Sequence, residues 1–229
     1  EFVSRRHYLL YQISESKNIR VGRFQQAYGL NSPNHTIPVK ESLGWSHALS
    51  GESYNIELSH LGENFNFYLT TILAPAAEFK QSTKKDEKAL SFKTTYVFQE
   101  SYRLGLSAFY SKSEDENRIV TGPFAILAFT PHFFLLSELD FQNRKLNDIK
   151  TKGFVHYSKI DYELIQGVHA YISREDHLLD LDNENTQSDS LAFGVQIFPF
   201  TSLELNFQWH RTKRKTSSKA TDLYWLMIH

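Results

Sequence analysis

The feature that most constrains this chain is a strict period-two alternation of apolar and polar residues, repeated in stretch after stretch along 229 residues. Leu203, Leu205, Phe207 and Trp209 interleave with Glu204, Asn206, Gln208 and His210, so an extended strand here has one greasy and one polar face. Tyr54, Ile56 and Leu58 alternate in the same way with Asn55, Glu57 and Ser59. Leu90, Phe92, Thr94, Tyr96 and Phe98 alternate with Ser91, Lys93, Thr95 and Gln99, and the pattern returns at Leu191, Phe193, Val195 and Ile197. In the series Tyr102, Leu104, Leu106, Ala108, Tyr110, aromatic residues stand at both ends of the apolar face, as they do at two membrane interfaces. Eighteen Phe and twelve Tyr against a single Met suit a pleated surface, and no segment has a convincing 3.6-residue period. The expected class is all-β.

Alternation is shared by soluble β-sandwiches and membrane barrels, so the connections have to arbitrate. Tight turns fall near 15–17, 61–64, 99–101, 130–132, 165–167 and 199–201. Longer polar connections fall at 29–51, 75–88, 112–117, 143–151, 175–189 and 212–219, and the two kinds alternate without a break. An up-and-down chain places all tight turns at one end of its strands and all long loops at the other, the pattern of periplasmic turns and extracellular loops. Strands of about nine to twelve residues match a tilted crossing of the hydrocarbon layer. The sequence therefore predicts a transmembrane up-and-down antiparallel β-barrel of about 12–14 strands, a single domain over residues 1–229. Thirteen strands are counted, and single-chain bacterial barrels carry an even number. Fourteen is the expectation, with a strand ahead of Glu1, and twelve the fallback.

Bulk properties narrow the function classes. A net charge of −1 and a pI near 6.9 give no basic face for nucleic acid. With no cysteine there is neither a disulfide framework nor a thiolate metal site, and the compartment stays open. A mean hydropathy of −0.43, without an 18-residue apolar window, excludes a helical span but not a strand barrel. The chain starts at Glu1 without a charged start and apolar stretch, so a signal peptide is expected upstream or already removed. The ten histidines form no HExxH, and there is neither a P-loop nor a GxGxxG after a strand. No cofactor, metal or catalytic residue is expected.

The stretch Arg20-Val-Gly-Arg-Phe-Gln-Gln-Ala-Tyr-Gly29, a strand with two glycines running into a long loop, is similar to segments of Gram-negative porin-like barrels. Nearly the whole chain resembles that class in pattern. The resemblance implies an outer-membrane location, a bilayer and lipopolysaccharide as surroundings, and the barrel-assembly machinery as a partner during biogenesis. That machinery reads a terminal aromatic residue in such proteins, whereas Leu223-Tyr-Trp-Leu-Met-Ile-His229 ends in His, which points to missing C-terminal residues. A homo-oligomer or an envelope partner protein stays open. The implied activity is passive diffusion of small hydrophilic solutes; a plugged, anchoring barrel without transport is the alternative.

Polar faces supply the candidate pore lining: Arg20, Glu57, Lys93, Arg103, Glu138, Asp140, Lys159, Asp161, Glu163, His169, Glu204 and His210. Neither sign dominates, so no strong ion preference is expected. The connection containing Asn31-Ser-Pro-Asn-His-Thr36 is a candidate constriction loop, or else a simple surface cap. Asp180, Asp182 and Glu184 open like an EF-hand loop, but Asn185 stands where glycine is needed and Leu191 where the bidentate Glu is needed, so calcium is not expected. The basic run Arg211-Thr-Lys-Arg-Lys215 reads as a solvated loop, with lipopolysaccharide phosphates as the alternative. The group Arg174-Glu-Asp-His177 at a strand end is similar to omptin-type protease rims and also to ordinary charged rims.

His156 and Ser158 share a strand face, and the parity of Ile160, Tyr162 and Leu164 makes it the apolar one. An outer-membrane phospholipase resembles this, with Ser and His facing lipid. A rise of about 6.5 to 7 Å between such positions reads as too long for a nucleophile–base hydrogen bond, so no enzyme is expected.

Overall fold

The computed structural model describes residues 6–30, 53–75, 87–201 and 203–228. Among the described residues thirteen strands follow one another: β1 (His7–Ser14), β2 (Lys17–Phe24), β3 (Ser53–Leu61), β4 (Phe65–Pro75), β5 (Lys88–Phe98), β6 (Tyr102–Lys112) and β7 (Glu116–Thr130), then β8 (Phe133–Leu146), β9 (Ile149–Ile165), β10 (Val168–Leu178), β11 (Gln187–Phe200), β12 (Leu203–Arg214) and β13 (Thr221–Ile228). Each pairs antiparallel with its sequence neighbour in one sheet whose order is β1 to β13. This is the up-and-down barrel that the alternation predicts.

Burial is inverted relative to a soluble protein, and this decides between barrel and sandwich. On β3 the polar Ser53, Asn55, Glu57 and Ser59 are buried, whereas Tyr54, Ile56 and Leu58 are exposed. A sandwich directs its apolar face at a core; here that face covers the outside of the wall, where only lipid tolerates it. At the tight-turn end, Phe98, Tyr102, Phe129, Phe133 and Tyr162 form a chain of ring contacts with centroids 5.1 to 6.5 Å apart across five strands. Aromatic girdles of this kind sit at a membrane interface, where an apolar ring can meet both lipid and water.

Several connections differ from the sequence expectation: 175–189 shortens to 179–186 and 212–219 moves to 215–220, and two others nearly vanish. The stretch 112–117 shrinks to a turn at 113–115. The stretch 143–151 shrinks to Asn147 and Asp148, with Asn147 at φ 52, a left-handed position that Asn tolerates. Around the latter the ladder continues through Asn143↔Lys152 and Arg144↔Thr151. Beyond the lipid neither strand face has to be apolar, so the strand keeps its hydrogen bonds but loses its alternation and reads as a loop. Strands β7, β8 and β9 accordingly reach 15, 14 and 17 residues.

Candidate functional site

After Phe24 the chain turns inward instead of rising into a loop, and residues 25–30 cross the lumen to the wall formed by β5, β6 and β8. Ala27, Tyr28, Gly29 and Leu30 are all buried. The Ser91 hydroxyl donates to the Ala27 carbonyl at 2.6 Å, and the Gly29 amide to Ser107 Oγ at 2.8 Å. Lys93 Nζ donates to the Gly29 carbonyl at 2.6 Å, and the Leu30 amide to Glu138 Oε2 at 2.8 Å. The Tyr28 hydroxyl donates to Asp140 Oδ1 at 2.7 Å. Burial first, and then the charge of Asp140, push the Tyr28 hydroxyl far above its ordinary range, so it remains a donor. Gly29 lies at φ +53, and a Cβ there would fall on the Glu138 carboxylate, so only glycine lets the segment approach this closely.

Tyr28 and Leu30 pack into an apolar cluster inside the lumen with Ile72, Ala89, Phe109, Val120, Phe124, Val155 and Tyr157. Lys93 and Arg118 close it from the polar side, lying 4.9 Å and 5.2 Å from the ring centres of Phe124 and Phe109. Sequence reasoning missed this crossbar. Its signal was present: Phe24, Ala27, Tyr28 and Leu30 are too apolar for the start of a solvated loop, and Phe109 interrupts a polar face. The candidate constriction residues 31–36 lie outside the described residues.

Most of the other candidate lining residues sit on the lumen side in compensated groups. Arg20 reaches Glu57 at 2.7 Å and lies 3.8 Å from the Phe24 ring centre, while Thr70 donates to the second Glu57 oxygen at 2.8 Å. On β9 and β10, Asp161 is shared by Lys159 and by His169 Nδ1, each at 2.8 Å, and Lys159 lies 4.2 Å from the centre of the Tyr171 ring. Glu163 meets His132 at 3.0 Å and the Gly167 amide at 3.0 Å beside the tight turn. Glu204 accepts from Gln196 at 2.7 Å, and Tyr171 donates to Asn206 at 2.8 Å. Arg103 is exposed at the tight-turn end of β6, and His210 is half-buried on the lumen face of β12. These groups do not converge on one point; they are spread around and along the wall.

On the outer wall the structure corrects the distance argument. His156 and Ser158 do face outward on β9, but their side chains lean together, and Ser158 Oγ lies 2.8 Å from His156 Nε2. The backbone rise alone overstates the separation because the imidazole reaches along the strand. His156 Nδ1 is 3.3 Å from Asp176 Oδ2, directly opposite in the ladder. Arg174 Nε holds Asp176 at 2.8 and 3.0 Å, and Ser137 Oγ on β8 is 3.4 Å from Ser158 Oγ. The acidic loop at Asp180 is self-satisfied: the Asp182 amide donates to Asp180 Oδ1, and Asn183 caps a 3₁₀ turn over Glu184–Thr186. Among the described residues no group of three or more His, Cys, Asp or Glu is placed to hold a metal ion.

Inverted burial, a girdled wall and a polar interior define a transmembrane β-barrel of the outer-membrane type. The fold is shared with solved structures. An OmpT loop-deletion variant from Vibrio cholerae, an outer-membrane protein, superposes with a TM-score of 0.75 at 9% identity, over 96% of this chain and 80% of that one. Full OmpT of Vibrio cholerae gives 0.72 at 8% identity over 96% and 81%. The outer-membrane channel DcaP of Acinetobacter baumannii gives 0.63 at 10% identity over 92% and 70%. No protein-family pattern and no curated protein matches the sequence.

Proposed function

We propose that the chain is an outer-membrane channel through which small hydrophilic solutes diffuse passively, with residues 25–30 as its fixed constriction. The observation that carries this reading is the crossbar itself. It is pinned to the β5–β8 side by five hydrogen bonds, whereas Lys159, His169, Glu204, Gln208 and His210 on β9, β10 and β12 keep partial exposure on the opposite side. A narrowed polar passage along β9–β12 follows. Compensated charges line it, so selection acts by size more than by sign. Outward-facing Lys150, Lys152, Arg211 and Lys213 at the loop end suit lipopolysaccharide phosphates around the rim.

The apolar cluster under the crossbar favours one second reading, a barrel closed inside that anchors an envelope assembly. Planar-bilayer recording separates the two. Discrete, reproducible conductance steps from the reconstituted protein support the channel, and silence at every voltage would refute it.

A further inference from the structure

The outward face of β8, β9 and β10 carries a polar cluster that a lipid-facing wall does not need. Ser137, His156, Ser158, Arg174 and Asp176 meet on three adjacent strands, with Leu139, Ile160 and Ile172 beside them on the same face. Polar and charged side chains on the lipid side cost stability without a structural return, and where they persist they mark function. Their order is that of a nucleophile, a base and an orienting acid. Asp176 accepts from His156 Nδ1, which leaves Nε2 free of a proton and able to accept the Ser158 hydroxyl at 2.8 Å. Arg174 fixes the carboxylate in turn.

We propose that Ser158, His156 and Asp176 form a serine hydrolase site that cleaves acyl esters of phospholipids presented by the surrounding bilayer. Ser158 Oγ attacks the ester carbonyl carbon while its proton passes to His156 Nε2. The carbon–oxygen bond to the glycerol side breaks, and the departing alcohol takes that proton. Water then attacks the acyl-serine and gives its proton to Nε2. The fatty acid leaves, and the proton returns to Ser158. Ester and water become acid and alcohol, with no other reactant. Backbone amides here are committed to the ladder, so the carbonyl oxyanion must be met by side chains, and the Ser137 hydroxyl stands 3.4 Å from the nucleophile.

Position selects the substrate class. Outward residues on β9 change from Lys150 and Lys152 to Phe154, His156 and Ser158, so the base lies about 10 Å below the lysines at the usual strand tilt. It lies on the lipid-facing wall beneath those lysines, whose long side chains reach up to the headgroups, so glycerol esters of phospholipids that enter this leaflet can meet it. Exposed Arg174, paired with Ser158 in the ladder, adds a cation suited to the lipid phosphate.

The test uses the protein folded into vesicles of phosphatidylethanolamine and phosphatidylglycerol, with fatty-acid release and labelling by a fluorophosphonate probe as readouts. Release by the wild type, with the label mapped to Ser158, supports the site. Ser158→Ala should lower release at least about 10³-fold and abolish the label. Asp176→Asn, a change at a positioning residue, should lower kcat about 10²- to 10⁴-fold with KM unchanged. Labelling of the wild type reads folded protein directly, so a misfolded variant cannot mask it. An unlabelled Ser158 without release, release that survives Ser158→Ala, or hydrolysis confined to water-soluble esters would each overturn the proposal. Because the site faces lipid, silence in the conductance assay leaves it standing.

Discussion

Replacing Gly29 with alanine tests the crossbar most sharply. The new Cβ would occupy the space of the Glu138 carboxylate, so either that carboxylate or the segment must move, and the Leu30 amide loses its 2.8 Å acceptor. A left-handed position costs a non-glycine residue about 1–2 kcal/mol, and a hydrogen bond to a charged acceptor is worth about 1.5–3 kcal/mol. Together they take roughly 3–5 kcal/mol from the docked state, which shifts the docked-to-undocked ratio by about two to four powers of ten. The barrel wall keeps all its ladder bonds, so folding should survive. Single-channel conductance of Gly29→Ala should rise, and liposome swelling should admit larger sugars. Lys93→Met, which removes the bond to the Gly29 carbonyl from the other side, should change both in the same direction but less. Unchanged conductance and an unchanged size limit in a correctly folded Gly29→Ala barrel would refute the constriction.

Arg20→Met takes the ion-pair partner from the buried Glu57 carboxylate and leaves it the Thr70 hydroxyl, and should cost about 2–4 kcal/mol in urea unfolding from lipid; the double change Arg20→Met with Glu57→Met should recover most of it. Compensated lining charges predict a reversal potential within about 20 mV of zero in a tenfold KCl gradient, where perfect selectivity gives about 59 mV. Asp161→Asn releases Lys159 and His169 from their shared carboxylate and should move that potential toward anion preference. On the lipid face, Leu106→Arg should lower folding stability by about 2–4 kcal/mol, and a neutral effect would contradict the assigned outer wall.

The strands were legible because a bilayer forces the pattern: Ile56 and Leu58 must face out and Glu57 in, residue by residue. Legibility ended where the lipid ends. Asn143, Arg144 and Lys145 are strand residues with water on both sides, and nothing in their order distinguishes them from a loop. The crossbar was hidden for a different reason. Tyr28 finds Asp140 and Leu30 finds Glu138 across more than a hundred residues of chain, and no local pattern encodes such a pairing. The Ser158–His156 contact is within reach of the sequence, because alternation places both on one face. Strand rise hides it, since the imidazole reaches along the strand and the side-chain ends lie closer than the backbone positions.

The paired extensions of β7, β8 and β9 have a consequence for recognition at the mouth. At about 3.3 Å per residue and a tilt near 40°, the 17 residues of β9 stand about 43 Å tall against an apolar band of about 25 Å, so a hydrogen-bonded parapet projects into water. Flexible loops must surrender conformational entropy when they close on a ligand, at about 1–2 kcal/mol for each backbone residue fixed. A parapet turned by only two or three residues has already given up that freedom during folding. Whatever meets this side of the mouth meets a surface set in advance, so contact there is decided by fit and governed by rapid encounter, without a slow ordering step.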